Sequence, residues 1–204
     1  METPEITVKT QQKIEIPEEL VYEMMDGKPI PYRGFEAVLN KEKEPEDIMG
    51  SSGIQSVIVA EILRYLFQSL SAKKYVIATN EAGLHLDKKN NLSTDIGIYL
   101  SEKLPASALT NHYLDIPPLL AIEIDTKASM VSFNNPADYY HKKTQKLLDF
   151  GVEKVIWIFS ESRKVMIART GEDWITADWH KEISLVENVS ISLAEILKKR
   201  GINA

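Results

Sequence analysis

The sequence contains no cysteine, which excludes a disulfide framework, a thiol nucleophile and a zinc–thiolate centre. It also lacks the basic, apolar and small-residue succession of a secretory leader. Its apolar stretches are too short and too often broken by charge to span a bilayer. A cytoplasmic protein without a membrane partner is therefore expected. Internal repeats and low-complexity tracts are missing too. So is an excess of positive charge: 24 Lys and Arg stand against 30 Asp and Glu, a formal net charge of −6. Proteins that grip nucleic acid mainly by its phosphates usually carry a basic face, so the average charge weighs against that class. The one denser basic stretch is His141, Lys142, Lys143 and Lys146. The histidines, His85, His112, His141 and His180, show no metal-ligand spacing.

What is present is a globular mixture, 44% hydrophobic and 26% charged over 204 residues. That length can bury a full core without staples. One domain over residues 1–204 is expected, with a core at about 18–170 and the C-terminal strands and helix as an accessory layer. The first fifteen or so residues, with Ile6, Val8, Ile14 and Ile16 between polar neighbours, suit an edge strand or a loose arm. Pro17-Glu18-Glu19 reads as the start of a short helix ending near Asp26-Gly27, and residues 41–46 as a solvated loop.

From Ser52 to about Ser71, Ile54, Val57, Ile58, Ile62, Leu66 and Leu70 recur at helical spacing behind a serine cap. The period then changes to two. Strands are predicted at 75–79, 83–87 and 93–100, with a hairpin turn at 88–91 and a loop over 101–116. Leu119–Asp125, Ala137–Phe150 and Lys154–Phe159 form a strand–helix–strand unit, whose strands should be parallel with a right-handed crossover. The apolar run Val155–Phe159 suits a central strand covered on both faces. Residues 163–169 and 174–179 follow as outer strands, and 192–199 as a closing helix. Trp157 is predicted to be core, and Trp174 and Trp179 core or dimer contacts. The fold class is α/β, a mixed sheet flanked by helices.

Three residues in this pattern carry chemistry. Side chains alternate along a strand, so Glu123 and Asp125 share a face with Leu119 and Ala121, near the strand end where α/β sheets place their sites. Asp95 lies on a strand whose opposite face holds Ile96, Ile98 and Leu100. If the two strands are neighbours, Asp95 and Glu123 can share a hard cation such as Mg²⁺, which takes one or two carboxylates and keeps several waters. At about 100° per residue, Tyr139, Tyr140, Leu147 and Phe150 form one helix face with Lys143 in its middle. A buried ammonium is costly without a partner, and Lys143 should lie level with Glu123. This set suits phosphodiester hydrolysis. The metal activates water and polarises a phosphoryl oxygen, and the ammonium stabilises the developing charge. Glu23 is read as an exposed helical residue, with an accessory metal role as the alternative.

Ser93-Thr94-Asp95 followed by Pro118-Leu119-Leu120-Ala121-Ile122-Glu123-Ile124 resembles the signature of the restriction-endonuclease-like PD-(D/E)XK superfamily. With Tyr22-Glu23-Met24-Met25-Asp26-Gly27, Lys142-Lys143 and Phe150-Gly151-Val152-Glu153-Lys154, the chain is similar to the Uma-type (DUF820-like) endonuclease family over roughly residues 18–170. That resemblance implies an αβββαβ core, a divalent metal (Mg²⁺ or Mn²⁺), DNA as substrate and a homodimer. Two departures matter. Thr94 replaces the proline before the first acid, and Asp125 occupies the superfamily's lysine position. The Uma-type pattern carries its lysine on the next helix instead, which falls here on Lys143. Asp125 then reads as a third metal ligand or as a sign of altered activity. Lys127 is an alternative donor. The rival readings are a catalytically silent binding or assembly module, favoured by the acidic charge and Asp125, and a metal-dependent hydrolase of a small phosphate ester.

Overall fold

The structure, a computed structural model, describes residues 15–202. The arm or edge strand expected at the start lies almost wholly outside them. The first correction to the sequence reading comes directly after it. Residues Glu18–Leu20 make a single 3₁₀ turn, and strand β1 (Val21–Met25) follows where a helix is expected. Asp26 and Gly27 both have positive φ, 55° and 70°. Two such residues between paired strands favour a hairpin whose twist matches its strands. β2 (Lys28–Pro31) accordingly returns antiparallel, with Met25 opposite Lys28. Two short helices not foreseen from the sequence, α1 (Phe35–Leu39) and α2 (Glu46–Met49), lead into α3 (Gly53–Ser69). Ser52 caps α3 by accepting from the Gln55 N–H.

β3 (Tyr75–Asp87) and β4 (Asn90–Leu100) form one long antiparallel hairpin. The two strands expected at 75–79 and 83–87 are thus a single strand with a bulge between Thr79 and Ala82. β5 (Leu120–Ile124), α4 (Pro136–Phe150) and β6 (Lys154–Phe159) follow as expected, and β5 and β6 are parallel, with Glu123 opposite Trp157. β7 (Lys164–Arg169) and β8 (Ile175–Asp178) complete the sheet, whose order is β2-β1-β4-β5-β6-β7-β8 with β3 beside β4. The α/β class and the mixed sheet flanked by helices are as expected.

Each face of the sheet has its own core. On one, Ile96, Ile98, Ile122 and Ile156 pack against Ile58, Ile62 and Leu66 of α3. The hairpin β9–β10 (Ile183–Ser184 and Ser190–Ile191) and helix α5 (Leu193–Lys198) add Ile183, Leu193 and Leu197 to that layer, as does the buried Trp179. On the other face, Ala121, Val155 and Trp157 pack against Tyr139, Leu147 and Leu148 of α4. Trp157 is core, as expected, and donates to Thr144 Oγ1 at 2.8 Å. Alternation therefore sends the odd-numbered residues of β5, and of β4 around Ile96 and Ile98, toward α4.

Candidate metal centre

β4 and β5 are adjacent and antiparallel, with Ile96 opposite Ile122 and Gly97 opposite Ala121. Continuing that register one step sets Asp95 against Glu123, both on the α4 face. Asp95 Oδ2 accepts the Ile124 N–H at 2.7 Å, which fixes the carboxylate at this position. Like charges placed directly across an antiparallel pair repel. The arrangement therefore needs a positive partner.

Lys143 is one such partner. Its position in the middle of the apolar face of α4 carries its side chain inward until none of it is exposed. The ammonium lies 3.0 Å from Glu123 Oε2 and 2.8 Å from Glu23 Oε1. It also sits over the rings of Trp157 and Tyr22, at 5.5 and 5.9 Å from their centroids. Glu23 is thus not an exposed helical residue. Strand β1 points it inward, and it is buried. Its Oε1 also accepts from Ser93 N and Ser93 Oγ, and its Oε2 accepts from the Tyr139 hydroxyl at 2.8 Å. The signal for this placement is present in the sequence as Asp26-Gly27, a two-residue hairpin turn, which the acidic helix-like start at Pro17 obscures.

Burial pushes the Glu123 carboxyl up to about 8; Lys143 opposes this, and Asp95 and Glu23 add to it. Burial likewise raises Asp95, against the Ile124 N–H and the field of Lys143. For Lys143, burial pulls downward, but Glu123 and then Glu23 outweigh it and hold the ammonium well above an ordinary lysine. Two carboxylates therefore share one ammonium with Asp95 in its field, and Glu123 Oε1 is buried with no hydrogen-bond partner among the described residues. Such an acceptor is costly unless a proton or a cation meets it. A hard divalent ion fits this donor set, because Asp95 and Glu123 both bring oxygen and Mg²⁺ takes only one or two carboxylates.

The structure does not bring Asp125 to this pair. Among the described residues no group of three or more His, Cys, Asp and Glu side chains stands close enough to hold a metal. Asp125 lies just past the end of β5 with φ at 54°, and that left-handed turn breaks the strand alternation on which the ligand reading rests. Its Oδ1 accepts the Ser160 N–H at 2.8 Å instead. Glu23 does join Lys143, but its carboxylate is already met by Ser93, Tyr139 and Lys143. His141 is exposed and lies edge-on to Trp174 at 5.5 Å.

The other flank of Asp95 is also built locally. Asn80 and Glu81, with φ of 67° and 55°, form the β3 bulge, and both stand opposite Asp95 alone. Bulges of this kind re-aim side chains. Here Glu81 forms an ion pair with Lys127. Lys127 in turn lines a cleft of about 910 Å³ that also contains Arg33, Lys43, Asp125, Tyr140 and Phe159. Sequence reasoning finds Asp95, Glu123 and Lys143 by periodicity. It misses the bulge, because Asn80-Glu81 reads as a gap between two strands.

No family model matches the sequence, and no curated protein does. The fold is similar to that of a putative nuclease belonging to DUF820 from Anabaena variabilis, solved by crystallography. The TM-score is 0.66 at 15% identity, covering 91% of this chain and 94% of the other. The resemblance expected from the sequence thus holds at the level of the fold. No helix among the described residues is long and apolar enough to cross a membrane.

Proposed function

We propose that the chain is a divalent-metal-dependent nuclease that hydrolyses phosphodiester bonds in DNA, with Asp95 and Glu123 as its metal ligands. The observation that carries this reading is the buried, unpartnered Glu123 Oε1 set against Asp95 on the neighbouring strand. The nuclease designation of the structural neighbour supports it. Mg²⁺ or Mn²⁺ supplies, when bound, a Lewis acid for a phosphoryl oxygen and a water of lowered pKa. The chain's own residues do the rest. The Ile124 N–H orients Asp95 through Oδ2, so that its other oxygen is the one that would hold the ion. Lys143 holds Glu123 by Oε2, so that Oε1 is the oxygen presented. Glu23, itself held by Ser93 and Tyr139, fixes Lys143 in turn. Lys143 is therefore a positioning residue whose field also offsets negative charge gathering at the centre.

The test is Mg²⁺- and Mn²⁺-dependent cleavage of plasmid and linear DNA, with Mn²⁺ binding followed by calorimetry. Asp95→Ala and Glu123→Ala should each abolish metal-stimulated cleavage while the protein stays folded. A wild-type chain that takes up no Mn²⁺ removes the reading. A binding module without turnover is the second reading, favoured by the net charge of −6. Mn²⁺ uptake with no cleavage across DNA and RNA substrates would select it.

A further inference from the structure

A phosphodiester brings negative charge to the centre, and Lys143 is not placed to meet it. Its side chain has no exposure, and its ammonium is held by two carboxylates under two aromatic rings. Lys127 differs: its side chain is 11% exposed and pairs with a single carboxylate among the described residues. Its backbone is pinned, since Lys127 O accepts the Arg33 N–H at 2.6 Å and Tyr32 bridges Ala128. Its ammonium is held by one partner, Glu81, whose side chain is 32% exposed and so open to exchange. That partner belongs to the bulge opposite Asp95, which ties Lys127 to the edge of the centre. It also lines the large cleft, next to Thr126 and Asp125, which follow directly on β5.

That cleft has the chemistry of a nucleic-acid backbone site. Arg33 and Lys43 are exposed along it, and Lys43 makes no ion pair among the described residues. Its three acids, Asp47, Asp125 and Glu161, balance the charge of Arg33, Lys43 and Lys127, and two of them are turned to main-chain donors, Asp125 to Ser160 N and Asp47 to Glu44 N. The half-buried rings of Tyr140 and Phe159, 4.9 Å apart, close one wall. Side chains of this kind stack bases while lysines and arginines follow the phosphates.

We infer that the substrate strand lies in this cleft, and that Lys127, leaving Glu81, is the ammonium that contacts the phosphate beside the metal centre. Arg33 and Lys43 then contact flanking phosphates. The inference rests on the nuclease reading for its substrate class and names the binding surface within it.

The experiment is fluorescence anisotropy of the full chain with a short labelled DNA oligonucleotide, in Ca²⁺ and in EDTA, over a salt series. Lys127→Ala should weaken binding about tenfold and flatten the salt dependence by about one phosphate contact. Arg33→Ala and Lys43→Ala should each weaken it several-fold. Glu81→Gln should tighten it, because it frees Lys127; this gain cannot come from misfolding. All four variants should still take up Mn²⁺ by calorimetry as the wild type does. Binding unchanged in Lys127→Ala and Glu81→Gln, but lost in Lys142→Ala, would move the DNA to the exposed side of α4 and overturn the inference. Wild-type protein that binds DNA through Lys127 but takes up no Mn²⁺ would sustain the cleft and sink the nuclease reading alone.

Discussion

Lys143 Nζ stands 2.8 Å from Glu23 Oε1, joining the middle of α4 to the first strand of the sheet with neither side chain more than 1% exposed. The contact makes Glu23 part of the centre without making it a metal ligand. One ammonium holds Glu23 and Glu123 together, and Asp95 is added by the register of β4 on β5. The sheet thus supplies the acids, and a single helix supplies the charge that lets them coexist.

Removing that charge should be costly. Lys143→Met leaves two buried carboxylates without their cation, a change that typically costs about 3–5 kcal/mol. Urea denaturation should show a loss of that order. Adding Glu23→Gln and Glu123→Gln to Lys143→Met should recover much of it, because the orphaned charges go with their partner. A triple variant no more stable than the single would show that packing of the lysine stem, rather than charge, holds the site.

Burial sets a pH dependence through Glu123. Its folded value of about 8 lies above the ordinary 4.5, so the folded chain binds the proton more tightly than the unfolded one. Stability in EDTA is then greatest below about pH 4.5 as far as this group is concerned, and falls as pH rises toward 8. A thermal series should show Tm dropping by a few degrees over that window, and the drop should be absent in Glu123→Gln. Mn²⁺ takes the place of the proton, so its affinity should rise with pH up to about 8 and its presence should flatten the Tm profile. A Tm series in EDTA that is flat from pH 5 to 8 for the wild type would contradict the raised value of the buried Glu123.

Much of this centre is legible in the sequence, because two periodicities carry it. Alternation along Leu119–Asp125 puts Glu123 on the face of Ala121, and helical spacing puts Lys143 in the stripe of Tyr139 and Leu147, where the structure has them. The parts that were not legible depend on single backbone angles. Asp125 leaves the face it shares on paper with Glu123 because its φ is positive, and the bulge opposite Asp95 consists of two residues in the same region. Glu23 depends on whether Glu18–Gly27 is helix or hairpin. Pro17 and two acids favour the first, and Asp26-Gly27 decides for the second.

That decision can be tested at Gly27, where φ is 70°. Gly27→Ala meets only Lys89 side-chain atoms, at 3.8 and 4.0 Å, so its cost is conformational rather than steric. It should destabilise the chain by about 1 kcal/mol while Mn²⁺ uptake is retained. A neutral substitution would mean that the turn tolerates a side chain and that β1 is held by Glu23 and its partners alone.

At the start of β6, Lys154 provides a contrast with Lys143. It too is buried, but among the described residues its ammonium meets only main-chain carbonyls, Ser184 O at 2.9 Å and Leu185 O at 2.6 Å. Burial, with Arg169 adding to it, pushes its value down to about 8. The folded chain therefore releases this proton more readily than the unfolded one, whose lysine titrates near 10.5. Stability from this group is complete above about 10.5 and is lost as pH falls through 8. Urea denaturation of the wild type should show stability rising between pH 8 and 9.5, a window above the Glu123 transition. Lys154→Met should abolish the rise and, near neutral pH, change stability by no more than about 1 kcal/mol, since two lost hydrogen bonds are offset by the charge no longer buried. A rise that persists in Lys154→Met would assign it to another group. A loss of several kcal/mol at neutral pH would mean that the ammonium, by holding the Ser184–Leu185 turn, stabilises the fold more than its burial costs.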